Sequence, residues 1–182
     1  MSEATLFQEE LDQATVQFET KLDRDVSQLL KKNKFTIAVA ESLTAGLIAS
    51  RLVRYAGSTS YFLGGAICYQ PATKIHFCGV SPATIRNEGE VSQSVALEMA
   101  QGLKSRLQAD LCISTTGVAG PATDAYPAES VGKVFIGFSL KQKDDVKFYR
   151  FEGSRDIIRQ KTTTAALAGL RQWLENQTQG GL

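Results

Sequence analysis

Short apolar runs alternate with helical segments along this chain, and no other feature of the sequence constrains the fold as strongly. Residues 36–40, 61–69 and 110–115 are compact apolar runs of strand length, and a segment with helical spacing follows each of the first two. Residues 131–140 and 146–151 are two further runs separated by the polar sequence KQKDD, a pattern typical of a hairpin. Strands that alternate with helices and end in a hairpin predict an α/β fold, here a three-layer α/β/α sandwich with a mixed sheet.

An N-terminal helical extension is predicted ahead of this sheet. From about Glu3 to Lys32 the apolar residues recur at spacings of three, four or seven, and no Pro or Gly interrupts them. We divide the single domain into a helical segment, residues 1–34, and an α/β body, residues 35–176. The exposed face of the extension is a candidate contact with the body or with a second copy, and we expect a homo-oligomer. The apolar stripe consists of Phe7, Leu11, Ala14, Phe18, Leu22 and Leu29.

Capping residues indicate where the other helices begin and end. Residues 41–46 are expected to turn directly into a helix, which Gly57 would close as its C-cap. Pro71 suits the first turn of the next helix, and Ser92 is expected to cap a long one. A last helix is predicted over residues 154–175 from its apolar positions.

Charge and cysteine content narrow the class of partner and the compartment. Twenty basic residues face nineteen acidic ones, and a net charge of +1 gives no electrostatic footprint for nucleic-acid binding. The first residues are acidic where a signal peptide is basic, and no apolar stretch is long enough to span a bilayer. Three cysteines without a CxxC pair are typical of reduced, buried thiols. We expect a cytoplasmic protein that engages neither nucleic acid nor membrane.

Several common catalytic and cofactor motifs are missing. The chain has one histidine, His76, and no cluster of His, Cys and carboxylate residues at metal-ligand spacing, so we expect no metal site. No GxGxxG or GxxxxGK[ST] motif supports a dinucleotide or P-loop site, and no cofactor is expected. A triad that used His76 would lack the GxSxG elbow, and a lone histidine is more often a packing or surface residue.

Ser42 is the first candidate for a nucleophile, and its position has two interpretations. It follows a predicted strand and precedes a predicted helix in the segment AVAESLTAGL. In the structural interpretation, its hydroxyl caps the helix by accepting a backbone N–H. In the functional interpretation, the hydroxyl lies at the strand end, where α/β folds bind ligands and helix N–H groups can stabilise an oxyanion.

Lys74 is the remaining candidate for the base that a serine nucleophile needs. It lies after the second predicted strand, at the start of a short helix. To act as a base it must be neutral, which requires its pKa to fall from about 10.4 to roughly 7–8. Burial or a neighbouring cation can supply that change. The other interpretation is an ordinary solvated surface lysine.

The segment from Thr115 to Pro121 is the third candidate. Two hydroxyls and two glycines follow a strand there, which lets backbone amides approach an anion closely. An ordinary turn between strand and loop is the alternative interpretation.

Taken in order, these segments resemble the C-terminal domain family of the competence-damage-inducible protein CinA. The order and spacing of the matching motifs agree from about Phe35 to Trp173. The matching blocks are residues 38–50 (AESCTGG type), 57–69 (GSS-x-[WY]-F…G…Y), 74–80 (K…GV), 87–92 (G-x-VS), 114–121 (S-x-[ST]-G-[IV]-AGP), 131–134 (VGTV) and 153–159 (G-x-R…R).

The resemblance implies a nicotinamide-nucleotide amidohydrolase that converts nicotinamide mononucleotide and water to nicotinic acid mononucleotide and ammonia. It makes Ser42 the nucleophile and Lys74 the base of a Ser/Lys dyad that uses neither metal nor cofactor. We predict that the two side chains approach to about 3–4 Å. The residues that the resemblance implies for substrate binding are Thr44, Gly46, Tyr69, Thr115, Thr116, Gly117, Gly120, Arg155 and Arg159.

The chain also departs from the family pattern near these residues. Ala45 replaces a usual Gly, Pro71 a frequent Asn, and Ala122, Thr123 and Asp124 replace the usual acidic and glycine residues after the Gly-Pro pair. A Cβ where glycine is usual leaves less room for backbone amides to meet a phosphate or an amide. Three hypotheses follow: an active amidohydrolase, a catalytically inactive paralogue that binds a nucleotide or a protein partner, and a serine amidase with another substrate.

Overall fold

The computed structural model describes residues 13–141 and 143–179, and that part of the chain contains six α-helices and five β-strands. The helices are α1 (Gln13–Asn33), α2 (Leu47–Leu52), α3 (Pro71–Cys78), α4 (Pro82–Glu88), α5 (Gln93–Leu107) and α6 (Arg155–Gln179). The strands are β1 (Ile37–Glu41), β2 (Phe62–Ile67), β3 (Leu111–Gly117), β4 (Lys133–Leu140) and β5 (Lys143–Arg150).

The five strands form one mixed sheet in the order β2-β1-β3-β4-β5. β1 is parallel to both of its neighbours, and its last residue, Glu41, pairs with Ile67 of β2 and Thr115 of β3. β3, β4 and β5 run antiparallel to one another in sequence order, so the chain ends its sheet in the expected hairpin. The mixed sheet predicted from the alternation of strands and helices is confirmed.

Helices cover both faces of the sheet, as the sandwich prediction requires. α1, α2 and α6 pack on one face, where Leu22, Leu30 and Leu170 are fully buried. α3, α4 and α5 pack on the other face, around Met99 and Cys112. Each buried side chain of this size contributes about 1.5–3 kcal/mol relative to an exposed one. The described part of the predicted extension, α1, packs against α6 and shares its core.

Two local signals for helix starts are confirmed. Pro71 occupies the first turn of α3. The Ser92 hydroxyl accepts the backbone N–H of Val95 and caps α5. Phe7 and Leu11 of the predicted stripe lie outside the described residues. No helix within residues 13–141 and 143–179 is long and apolar enough to cross a membrane.

The boundaries of α2 and β5 differ from the sequence prediction. Residues 42–46 form a turn, and α2 begins only at Leu47, so Ser42 does not begin a helix. α2 ends at Leu52 with Val53 as its C-cap, and Gly57 therefore closes no helix. β5 begins at Lys143 and takes in residues assigned to the polar turn, because charged side chains are tolerated on an exposed edge strand.

Candidate active site

The carboxyl ends of β1, β2 and β3 meet at one edge of the sheet because the three strands run parallel. Ser42 follows β1, Tyr69 lies just after β2, and Gly117 ends β3. A cavity of about 260 Å³ lies beside these strand ends, a volume near the lower end for small-molecule sites. Its lining residues are Ser42, Leu43, Tyr69, Lys74, Glu90, Val91, Gly117, Val118, Ala119, Gly120, Pro121, Thr123, Tyr126 and Arg155.

The Glu41 carboxylate caps the start of α2, the role that the structural interpretation of the sequence assigned to Ser42. Its carboxylate is fully buried and accepts the backbone N–H groups of Gly46 at 2.9 Å, Ile48 at 3.2 Å and Ala49 at 2.8 Å. These are the donors that a helix N-terminus leaves without intrahelical partners, and a carboxylate is favoured beside them. The Ser42 hydroxyl makes no capping bond to α2, so the structural interpretation of Ser42 as an N-cap is wrong.

Ser42 lies on the cavity wall, over a pair of buried threonines. Its side chain is nearly buried, with 6% of the residue exposed. Its backbone N–H donates to the carbonyl oxygen of Thr115 at 3.1 Å and contacts Thr115 Oγ1 at 3.3 Å. The hydroxyls of Thr44 and Thr115 are 2.8 Å apart. These bonds hold the turn after β1 against the end of β3 and keep the Ser42 side chain at the cavity.

Lys74 projects from α3 into the same cavity and is 1% exposed. Its Nζ donates to the Glu90 carbonyl oxygen at 2.8 Å and to Thr116 Oγ1 at 3.0 Å, and it contacts Glu90 Oε2 at 3.4 Å. Three contacts match the three N–H groups of an ammonium. Ser42 Oγ is not among these partners in the described chain, so a dyad contact of about 3–4 Å stays a prediction, although both groups line one cavity.

Burial and a carboxylate act on Lys74 in opposite directions. Burial lowers the pKa of the Lys74 amine, because the charged form loses its hydration, and the neighbouring Glu90 carboxylate opposes this by favouring the ammonium. Burial has the larger effect, and the pKa lies below that of an ordinary lysine. The interpretation of Lys74 as a solvated surface residue is therefore wrong.

Glu90 and Tyr126 are cavity residues that sequence reasoning missed. The Tyr126 hydroxyl donates a short hydrogen bond to Glu90 Oε1, and burial together with this carboxylate raises the pKa of Tyr126. Glu90 occupies the variable position of the G-x-VS block, and Tyr126 lies in the loop between β3 and β4. No local pattern links residues 36 positions apart, so only the fold brings them together.

Two arginines of α6 reach the loops around the cavity. Arg155 lines the cavity and donates to the Gly120 carbonyl oxygen at 2.5 Å and to the Tyr69 hydroxyl at 2.8 Å. Arg159 donates to the carbonyl oxygens of Leu43 at 2.9 Å and Thr44 at 3.3 Å. Arg155 therefore joins two loops at the cavity, whereas Arg159 holds the turn that carries Ser42.

The predicted site residues fall into two groups. Those that line the cavity are Ser42, Tyr69, Lys74, Gly117, Gly120 and Arg155. Those that lie outside its lining are Thr44, Gly46, Thr115, Thr116 and Arg159. Because the three threonines are fully buried and bonded within the protein, they support the cavity wall from behind. Substrate contacts for all of these residues stay predictions.

His76 lies away from this arrangement. It is exposed on α3, contacts the Phe77 ring edge-on, and does not line the cavity. The surface interpretation of this histidine is confirmed. Cys68, Cys78 and Cys112 are buried free thiols, as expected. Among the residues that the structure describes, no group of His, Cys, Asp and Glu is arranged to hold a metal ion.

Comparison with known families assigns this architecture. Residues 19–174 match the model of the CinA C-terminal domain, a stretch that contains all five strands and most of the helices. The chain belongs to the CinA C-terminal domain family. The match begins within α1, so the family resemblance extends further towards the N-terminus than the motifs alone indicated.

Members of the CinA family resemble the chain in both sequence and structure. A CinA-like protein of Thermotoga neapolitana is 38% identical over 157 residues, which are 86% of this chain and 38% of that protein. The crystal structure of the competence/damage inducible protein CihA from Agrobacterium tumefaciens has a TM-score of 0.78 at 30% identity and covers 84% of this chain and 93% of that one. A CinA superfamily protein of Klebsiella pneumoniae shares the fold, with a TM-score of 0.81 at 24% identity over 87% of this chain and 98% of that one. The chain thus spans less than two-fifths of the length of its curated Thermotoga relative.

Departures from the CinA pattern surround the cavity. Ala45, where the family usually has Gly, has φ of 48°, in the left-handed region that favours glycine. A left-handed alanine costs roughly 1–2 kcal/mol, which the surrounding structure must offset. Thr123 lines the cavity within the altered loop, which also carries Tyr126. The core motifs are retained, and the changes concern the loops that line the site.

Proposed function

We propose that the chain is an amidohydrolase that converts nicotinamide mononucleotide and water to nicotinic acid mononucleotide and ammonia, with Ser42 as nucleophile and Lys74 as base. The observation that carries this proposal is a buried lysine, its pKa lowered by burial, that shares one cavity with a serine hydroxyl. A buried amine is costly in a fold, and a perturbed pKa inside a cleft is typical of a catalytic group. Membership of the CinA family supports the same chemistry.

The reaction divides into two acyl transfers. Ser42 Oγ attacks the carboxamide carbon while the neutral Lys74 amine takes the hydroxyl proton. The C–N bond then breaks, Lys74 returns the proton to the leaving nitrogen, and ammonia departs from an ester on Ser42. Water attacks this ester with Lys74 again as base, and release of the acid restores the hydroxyl. Each proton that Lys74 accepts is given back within the same half-reaction.

The phosphate of the mononucleotide needs a separate anchor, and Arg155 is the residue we propose. Arg155 is exposed and lines the cavity, and beyond the two N–H groups that donate to Gly120 and Tyr69 its guanidinium has further N–H groups for an anion. Arg159, Thr44, Gly46, Thr115 and Thr116 would then act by holding the loops in place. Arg155→Ala is expected to weaken binding of the mononucleotide. Arg159→Ala is expected instead to lower turnover at saturating substrate.

Ammonia release from nicotinamide mononucleotide by the purified protein tests the proposal. Ser42→Ala and Lys74→Ala should each reduce turnover by about 10³-fold or more, and the double variant should lose little beyond that, because residues of one catalytic unit are non-additive. Ser50→Ala and Lys32→Ala are matched controls on exposed helix positions and should keep wild-type turnover. Turnover that survives either Ser42→Ala or Lys74→Ala would refute the dyad.

The second candidate function is a paralogue that binds a nucleotide or a protein partner without turnover. Its supporting observation is that Glu90 and Thr116 accept all three Lys74 contacts, an arrangement that favours the charged form of the amine. Wild-type protein that binds the mononucleotide but releases no ammonia between pH 6 and pH 10 would establish this alternative.

A further inference from the structure

We propose that Glu90 and Tyr126 are positioning residues that control whether Lys74 carries its proton, and this inference rests on the proposed role of Lys74 as the base. The two side chains form a chain of contacts that ends on the lysine. One oxygen of the Glu90 carboxylate, Oε2, faces Lys74 Nζ at 3.4 Å, and the other, Oε1, accepts the Tyr126 hydroxyl. All three residues line the cavity.

Glu90 contacts Lys74 through both its backbone and its side chain. The Glu90 carbonyl oxygen accepts from Lys74 Nζ at 2.8 Å, which fixes the position of the amine. The Glu90 side chain is 26% exposed, whereas that of Lys74 is 1% exposed. The Glu90 side chain is therefore partly accessible to water, whereas that of Lys74 is enclosed by protein.

The groups around Lys74 single out Glu90 as the acid that controls its charge. Cys68 follows β2 and Cys78 belongs to α3, and both thiols are buried. Tyr69 and Arg155 line the same cavity from the loop after β2 and from α6. Within the described chain, Glu90 is the carboxylate in ion-pair contact with Lys74. The remaining polar contact is Thr116 Oγ1, which carries no charge.

The physical consequence is that the Glu90 carboxylate opposes the action of Lys74 as a base. A carboxylate beside the amine favours the ammonium, which cannot take a proton from a serine hydroxyl. Tyr126 holds Oε1 and so keeps Oε2 directed at Lys74. When the carboxylate is removed or turns towards water, its charge no longer opposes the effect of burial, and the pKa of the amine falls further.

Two substitutions test this effect of Glu90 on Lys74 through the pH profile of kcat/KM. Glu90→Gln removes the charge at nearly constant shape, so the acidic limb of the profile should move to lower pH by about one unit, since an opposite charge at this range shifts a titration by that order. At a pH below the wild-type midpoint, this corresponds to roughly tenfold faster turnover. Tyr126→Phe should move the limb in the same direction by less, because it frees the carboxylate without removing it.

Non-additivity separates positioning from a structural role. The double variant Glu90→Gln/Tyr126→Phe should have the midpoint of Glu90→Gln alone, since Tyr126 acts through Glu90. Glu88→Gln removes an exposed acid two positions away and should leave the profile unchanged. A loss of rate without a shift of the midpoint in both single variants would overturn the proposal.

An NMR titration of the Lys74 side chain tests the same inference without turnover. The 13Cε signal of Lys74, assigned by its loss in Lys74→Met, should titrate at lower pH in Glu90→Gln than in the wild type. Should Glu90→Gln fail to fold, Tyr126→Phe provides the measurement. An unchanged Lys74 titration would overturn this inference. A shifted titration in a protein that releases no ammonia would uphold it and reject only the proposed function.

Discussion

Arg51 and Lys74 are both buried basic residues, but they lie in opposite helical layers and face different numbers of carboxylates. Arg51 of α2 is 8% exposed and pairs with Asp23 at 2.7 Å and with Glu19 at 3.0 Å. Lys74 of α3 is 1% exposed, and its ion pair is with Glu90 at 3.4 Å. The arginine is thus held by two short ion pairs and the lysine by one long one.

A threonine hydroxyl completes each network in the same way. Thr164 Oγ1 accepts from Arg51 at 2.6 Å and donates to Glu19. Thr116 Oγ1 accepts from Lys74 at 3.0 Å and donates to the Glu90 carbonyl oxygen at 2.8 Å. The two sites therefore share the same kinds of contact. They differ in the basic side chain and in the number of carboxylates that face it.

The difference suits the two side chains to different roles. A guanidinium keeps its proton at any physiological pH, so the Arg51 network can only join α1, α2 and α6. A lysine changes its pKa readily when it is buried, and Lys74 borders a cavity. A single long ion pair leaves the lysine closer to losing its proton than two short ones would.

Removal of Arg51 is expected to give the largest change in stability. Arg51→Met leaves the fully buried Asp23 side chain without its main partner, and breaking a buried pair in this way costs about 3–5 kcal/mol. Burial already raises the pKa of Asp23, with Arg51 opposing the change, so the uncompensated carboxylate should take up a proton in the variant. Urea unfolding at pH 7 measures the loss.

Arg54 offers a matched control for this prediction. It also contacts Asp23, at 3.0 Å, but its side chain is 41% exposed. Because the Arg54 end of this pair is partly solvated, Arg54→Met should cost less than Arg51→Met. Equal losses in the two variants would show that burial does not distinguish them. A loss of turnover per folded molecule in Arg51→Met would contradict the purely structural role of Arg51 and so the contrast with Lys74.

Local signals in the sequence were sufficient for much of the fold and for part of the site. The compact apolar run before Ser42 predicted β1, and parallel pairing then requires the residues after β1 and β3 to meet. Pro71 and Ser92 marked helix starts because their chemistry acts within a few residues. The pairing of Ser42 with Lys74 came from the family resemblance; both residues line one cavity, and their direct contact stays a prediction.

Contacts between distant segments could not be predicted from such local signals. Glu90 lies 16 positions from Lys74 and 36 from Tyr126, and a charge pattern at those separations has no meaning until the chain folds. Glu41 was missed for another reason. A carboxylate normally caps from the residue directly before a helix, but here a left-handed turn at Ala45 carries the chain back towards the strand end.

Replacement of Lys74 is expected to raise stability while it abolishes turnover. Lys74→Met removes a buried amine and keeps an unbranched chain of similar length, and the partly exposed Glu90 retains its bond to Tyr126. We expect a gain of about 1 kcal/mol at pH 7, since burying a charged group without full compensation is unfavourable. The measurement is urea unfolding of Lys74→Met beside the wild type.

The gain from Lys74→Met should depend on pH with a definite sign. The folded-state pKa of Lys74 is below its unfolded value of about 10.4, so the unfolded chain binds the extra proton between the two values. Wild-type stability therefore rises with pH across that window, a contribution that the variant lacks. The stabilisation by Lys74→Met should be greatest below the window and should shrink towards pH 10. A gain that grows with pH would contradict the assignment.

The matched threonine variants give the smallest effects and the sharpest contrast. Thr164→Val removes an acceptor from Arg51, and Thr116→Val removes one from Lys74. Each should cost about 1 kcal/mol of stability, the net value of a typical hydrogen bond. Only Thr116→Val should also move the acidic limb of the kcat/KM profile to lower pH, because the charged amine loses an acceptor that favours it. Thr164 contacts Arg51 and Glu19 rather than Lys74, so Thr164→Val should leave that limb unchanged. A shift in both variants would mean that the limb reports the stability of the fold, whereas a shift in Thr116→Val alone would assign it to Lys74.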